Sequence, residues 1–314
     1  MVCWRAVSSR VEIEAIRSAS AIRQFHRCRA QAEPPGLTVR GGWLAGLALV
    51  LALSAAPARA LDDEHHSLFD PVPEDELRPL CADNPGFGLP PCIVDAGHVM
   101  FEFTAVTATF ANIGGVRTQN YAIGDVLLRV GLTETLETFA SWTPLNIYTE
   151  KSGASPQSDS ATGSIGFGFK QSLRNPDGEG LSIAAELAIE IPTNGENIAW
   201  TLALPVSQAF GDDWTLGFTP ELALLPNTLD GGQHLGGSMA VSLSRAIADF
   251  NLGAEIYVAK DDEPTGAIRY ATANFSVSWQ PPKNENLSFD IGADFGLNAA
   301  TADVEIYCGL SRRF

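Results

Sequence analysis

Ten carboxylates share a chemical opportunity: Glu102, Asp125, Glu137, Glu186, Glu190, Glu221, Glu255, Asp290, Asp294 and Glu305. Each falls on the polar parity of a segment in which apolar and polar residues alternate. In an extended chain they therefore all point away from the apolar face. Carboxylates gathered around one space raise the local concentration of cations. The basic residues of the same parity are few, chiefly Arg129 and Lys170, with Arg313 at the end. This reads as an acidic-lined lumen with a preference for cations. The bland alternative is that many of these groups sit near a rim and are merely solvated.

Arg129 and Glu137 form a case apart. The turn between their segments centres near Thr133, so the two are expected to face each other. Opposed opposite charges stabilise a hairpin by a few tenths to about 1 kcal/mol. A wall salt bridge is the expected role, rather than a substrate contact.

Cys81 and Cys92 lie close together in the segment LCADNPGFGLPPC. In an oxidising compartment such a pair most simply forms a local disulfide; two free thiols are the alternative. No nearby His completes a zinc set. Cys308 reads as a small apolar side chain. Past the leader the histidines are His65, His66, His98 and His234. The first three lie on or beside an irregular segment. His234 has Ser238 on its own face and Asp230 in the adjoining loop, which raises a hydrolytic site. No nucleophile motif surrounds it, and the chain is read as not an enzyme. No metal-ligand cluster, phosphate loop or dinucleotide fingerprint appears, so no metal or cofactor is expected.

The composition narrows the elements that position these groups. The chain has 314 residues, 20 Lys+Arg against 37 Asp+Glu, 45% apolar residues, only 18% charged residues and 29 Gly. The apolar fraction argues against disorder. A sequence pI near 4.6 argues against a nucleic-acid partner. No apolar run of about 18 residues remains once a leader is removed, so helical membrane spans are out. An acidic, Gly-rich, charge-poor chain leaves one membrane option, a β-barrel in contact with the lipid bilayer.

Residues 43–56, WLAGLALVLALSAA, follow Arg40 and precede Ala58-Arg59-Ala60. A positive flank, a short apolar core and an A-x-A site make a secretory signal over 40–60, cleaved after Ala60. The Arg-rich stretch 1–39 reads as a start site placed too early, with translation beginning near Leu37 or Val39; a long n-region is the alternative. Removing 1–60 takes away eight Lys/Arg and three Asp/Glu and leaves a net charge of −22. The organisation is then a leader over 1–60, an acidic, Pro-rich periplasmic arm or plug over 61–96, and a barrel over 97–314.

The barrel shows as about ten-residue segments of alternating polarity separated by turn residues. In 287–297, Leu287, Phe289, Ile291, Ala293, Phe295 and Leu297 oppose Ser288, Asp290, Gly292, Asp294 and Gly296. Segments 163–170, 181–191 and 250–258 do the same. Twelve such segments fall near 98–110, 121–132, 135–143, 161–171, 180–191, 198–209, 213–225, 234–245, 249–259, 267–279, 286–297 and 302–314. The fold class is an all-β, transmembrane, antiparallel up-and-down barrel with both ends periplasmic, placed in the bacterial outer membrane. A soluble β-sandwich also alternates, but its outward face should be charged. The connection over 143–160 is expected to be the longest. Pro205 and Pro220 predict a bulge or shortened pairing. Inward glycines, among them Gly168 and Gly292, are expected to leave space. About twelve strands lie between filled barrels of about eight and open porins of about 16–18, so a narrow or plugged channel for a small-molecule permeant is expected. A closed structural barrel and a hydrolase are the other readings. Phe314 ends the last segment on an aromatic, like the signal read by the barrel-assembly machinery.

The stretch 125–146, DVLLRVGLTETLETFASWTPLN, resembles the outer-membrane transporter family named for the MetA pathway of phenol degradation. The matching parts are Leu128-Arg129, Gly131-Leu132-Thr133, Leu136-Glu137 and Trp142-Thr143-Pro144. The resemblance implies a barrel of this kind over 98–314 and passage of small, often aromatic, compounds.

Overall fold

The computed structural model describes residues 66–151, 156–193, 197–211, 213–229 and 231–314. The leader, its cleavage site, His65 and Asp230 lie outside the described residues.

The described residues form fifteen strands: β1 (Val99–Ile113), β2 (Val116–Thr133), β3 (Leu136–Trp142), β4 (Leu145–Lys151), β5 (Gln157–Ala161), β6 (Ile165–Arg174), β7 (Leu181–Ile191), β8 (Ala199–Ala203), β9 (Val206–Phe210), β10 (Trp214–Pro226), β11 (Gln233–Ile247), β12 (Phe250–Asp261), β13 (Ile268–Trp279), β14 (Leu287–Gly296) and β15 (Val304–Arg313). All join one antiparallel sheet, which closes where β1 pairs with β15. Three walls are each made of two pieces. β3 and β4 both pair with β2, β5 and β6 continue them, and β8 and β9 both bridge β7 and β10. The molecule is thus a closed barrel of twelve wall strands. Among the described residues, closure pairs every strand but β5 on both sides, as lipid demands of the spanning wall because it cannot hydrogen-bond a free edge.

The alternation decides which face is which. Along β12, Phe250, Leu252, Ala254, Ile256 and Val258 are exposed, whereas Glu255 and Tyr257 between them are buried. Apolar side chains outside and carboxylates inside invert the partition of a sandwich. The inward parity shifts once in β1 and once in β2. Ala105 is the unpaired residue between Thr104 and Val106, and Gly124 lies beside it at a φ of +75° that glycine adopts without strain.

Several expectations change. Residues 143–160 are mostly a hairpin, with β4 paired to β5, and not one long loop. The first connection shrinks to Gly114-Gly115. Both hairpins carry the wall beyond the apolar band. Outward residues there, such as Arg117, Gln119 and Lys151, are polar and exposed, so no alternation marks them in the sequence. The prolines meet at one interruption: Leu204-Pro205 breaks the wall between β8 and β9, and Leu204 N–H donates to the Pro220 carbonyl. Gly168 and Gly292 leave no empty space. Each is paired with an aromatic residue on the next strand, Phe139 and Tyr307, and those rings occupy the place where a Cβ would stand.

Residues 66–98 contain no regular strand; the stretch to Pro79 is mostly exposed, and from Leu80 onward the segment packs inside the wall. They start at the turn between β2 and β3, where Leu68 N–H donates to the Leu132 carbonyl and Gly97 N–H to the Gly131 carbonyl. The segment then crosses the interior from the β1–β3 side to the β10–β12 side. Cys81 and Cys92 are joined by a disulfide that closes the loop making this crossing.

Candidate functional site: the carboxylate-lined lumen and its arm

Arg129 of β2 is the hub of a buried ion network. Its side chain is fully buried. Nε and an Nη donate to Glu137 at 2.8 and 3.0 Å, a two-point grip that only a guanidinium makes. The other Nη donates to Glu102 at 3.0 Å and to the Cys81 carbonyl at 2.8 Å, and lies 3.1 Å from Asp83. The expected register is off by two residues. Arg129 pairs across the ladder with Phe139, and Gly131 pairs with Glu137. A bulge between Gly131 and Thr133 shifts the hairpin, so Arg129 and Glu137 meet diagonally.

Lys170 of β6 extends the network. Its Nζ lies 2.7 Å from Asp83, 3.3 Å from Glu186 and 3.8 Å from Glu137. Two buried cations therefore face four carboxylates, and one of these, Asp83, belongs to the arm. Burial pushes the Asp83 carboxyl up, but Arg129 and Lys170 together hold it below its ordinary value.

Wall carboxylates also hold the arm by its main chain. Glu102 accepts from the N–H groups of Asp83 and Asn84, both at 3.0 Å. Glu137 accepts from Val94 at 2.6 Å. On the far wall Glu255 accepts from Phe87 at 2.7 Å and Gly88 at 2.8 Å. The Phe87 ring stacks on Tyr257 with centroids 4.4 Å apart. Near the termini Asp95 accepts from Arg78 at 2.6 Å and from Arg313 at 2.8 Å. His98 lies 2.8 Å from the Val72 carbonyl and 3.1 Å from that of Phe314.

The remaining carboxylates of the set sit deeper along the lumen. Glu102, Asp125, Glu186, Glu190, Glu221 and Asp294 line a cavity of about 190 Å³ that also touches the arm over Asp83–Leu89. Asp125 accepts from Thr143 at 2.9 Å, and Asp294 from Asn274 at 2.5 Å. Glu305 accepts from Thr109 at 2.5 Å, and Asp290 is buried. A second cavity, of about 680 Å³, lies along the other side of the arm and touches Cys81, Cys92, Asp213 and Gln280.

His234 stands elsewhere, at the end of the barrel away from the termini. Its Nε2 lies 2.6 Å from Asp261 and its Nδ1 2.8 Å from Asn227. Both ring nitrogens are thus engaged, and neither meets the hydroxyl of Ser238. The arm's contributions, Asp83, Phe87 and Asp95, have no periodic signature in the sequence. The wall gives no clue to them either, because Arg129 and Lys170 already face the wall carboxylates Glu102, Glu137 and Glu186.

The fold is that of bacterial outer-membrane barrels. No family model and no curated protein matches the chain. Among solved structures, an outer membrane channel from Pseudomonas putida F1 aligns with a TM-score of 0.50 at 13% identity, over 69% of this chain and 94% of that one. The translocator domain of the autotransporter NalP from Neisseria meningitidis gives 0.47 at 13%, over 74% and 90%. The β-domain of the Bordetella autotransporter BrkA gives 0.45 at 13%, over 69% and 98%. At these identities the likeness to the Pseudomonas channel is one of fold.

Proposed function

We propose that the protein is an outer-membrane channel for passive passage of small solutes, with a carboxylate-lined lumen that favours cations. At rest its own arm closes it. The observation that carries this reading is the chemistry of the arm's contacts. A permanently closed barrel is best filled with apolar side chains, because a buried ion network seldom adds net stability over apolar packing. Here the filling is held by carboxylates on main-chain N–H groups and by shared ion pairs, with polar cavities on both sides. Water can replace such contacts when the arm withdraws. The resemblance of 125–146 adds small aromatic compounds as candidate permeants. Export would use the leader over 1–60, and insertion would use the barrel-assembly machinery acting on the strand that ends at Phe314.

Single-channel recording of 61–314, with and without 61–96, tests the reading. The arm-deleted barrel should conduct more and show a cation-selective reversal potential. An anion-selective potential, or an arm-free barrel with no conductance, would overturn it. Lipase and protease assays that depend on His234 would instead favour a hydrolase.

A further inference from the structure

The outward faces of β12 and β13 are apolar from Phe250 to Val258 and from Ala271 to Trp279, and the next outward residue of each, at the edge of this band, is basic: Lys260 and Arg269. These two are exposed and stand directly opposite each other across the ladder. Like charges placed so are destabilising unless an anion lies between them. Lys260 reaches Asp262 at 2.5 Å, in a pair whose side chains are about half exposed. An exposed pair contributes little, and the ammonium keeps further donors. No carboxylate among the described residues pairs with Arg269.

Beside this pair the wall is hollowed. Lys260 is paired on its other side with Gly237, which has no side chain, and Gly237 with Leu222. The missing side chain opens a groove of about 720 Å³ on the outer surface, walled by Leu222, Met239, Val258 and Ala271, with Lys260 and Arg269 at its upper end. That end is the one away from the termini, where an outer-membrane barrel meets the outer leaflet.

We propose that this groove binds a phosphorylated, multiply acylated glycolipid of the outer leaflet. Acyl chains lie in the hollow over Gly237, and a phosphate bridges Lys260 and Arg269. Charge complementarity selects the occupant: in a chain of net charge −17, two basic side chains project together at the edge of an apolar band. Basic side chains at a membrane surface recognise anionic headgroups in this way. The inference rests on the barrel being embedded in the membrane and is independent of whether the lumen conducts.

The test is a binding titration of the refolded full chain, read by native mass spectrometry. The probes are diphosphoryl lipid A, its dephosphorylated form, phosphatidylglycerol and inorganic phosphate. The double variant Lys260→Gln/Arg269→Gln should weaken diphosphoryl lipid A binding about thirtyfold, since each basic group counts for about a fivefold factor. Gly237→Leu fills the hollow and should weaken it comparably with both charges intact. Heat-modifiable gel mobility verifies that each variant is folded, and conductance should be unaffected in all of them. The proposal fails if the double variant binds as the wild type does, or if dephosphorylated lipid A binds equally well. Equal binding of phosphatidylglycerol would overturn the glycolipid, and equal binding of inorganic phosphate would overturn a lipid altogether.

Discussion

The Asp83 carboxylate of the arm lies 3.1 Å from the Arg129 guanidinium of the wall, and Lys170 approaches the same oxygen at 2.7 Å. One side chain of a segment without regular strands therefore touches both inward cations of the β2–β6 wall, at the end near the termini. Removing one partner of an isolated buried pair costs about 3–5 kcal/mol; the cost is smaller here, because Arg129 and Lys170 keep Glu102, Glu137 and Glu186. Asp83→Ala should release the arm without unfolding the barrel, whose ladder does not include it. Open-channel events in bilayer recordings should become frequent, while heat-modifiable gel mobility persists. A variant as quiet as the wild type would remove Asp83 from the closing mechanism.

The same carboxylate gives the docking a pH dependence. Its folded value lies below the ordinary 3.8 because Arg129 and Lys170 outweigh burial. A depressed carboxyl contributes stability that is present above its ordinary value and lost as pH falls through the lowered one. Docking should hold from neutral pH to about 4 and weaken below it. Asp83→Asn should lack that acid step when arm release is followed by protease accessibility. An unchanged step in Asp83→Asn would assign it to other carboxylates.

Glu255 tests the far wall. It accepts two main-chain N–H groups, and charge-assisted bonds of this kind are worth about 1.5–3 kcal/mol each. In Glu255→Ala the amides of Phe87 and Gly88 should lose hydrogen-exchange protection by about a hundredfold, while the Asp83 and Asn84 amides on Glu102 change less. Equal protection in both proteins would show that the Phe87–Tyr257 stack alone holds that end.

Gly131 tests the near wall. A Cβ there would occupy the place of the Asp95 carbonyl. Gly131→Val should therefore lift the arm from β2, at an overpacking cost of about 1–3 kcal/mol. Endoproteinase Asp-N should then cut before Asp95, which is buried against the wall, faster than in the wild type. Unchanged cleavage would mean that the arm shifts without leaving.

Charge reversal tests selectivity. Glu190 and Glu221 both line the inner cavity. In the arm-deleted barrel, Glu190→Lys/Glu221→Lys should move the reversal potential toward anions, because fixed charges at a constriction set the local ion concentrations. A potential that does not move would place the selective constriction elsewhere.

The strands were legible because lipid and lumen impose opposite chemistries on alternate residues. Where the wall rises beyond the apolar band, as in β4 and β5, that contrast disappears and the sequence reads as loop. Glu102, Arg129, Lys170 and Glu255, which share the polar parity, are buried on the side opposite the exposed apolar residues. The register of Arg129 and Glu137 was not legible, because the single bulged residue that sets it carries no compositional mark. Nor was Asp83: an irregular segment has no period, and its position is fixed by partners that are distant in sequence.

The arm emerges at the place where the barrel closes. His98 lies between the carbonyls of Val72 and Phe314, Asp95 is held by Arg313, and β1 meets β15 at Val99 and Phe314. The seam of the wall and the root of the arm therefore share one fastening. Opening the seam would therefore strip the arm of its hold on Arg313 and Phe314 and leave it only the contacts on β1, β2, β3 and the far wall.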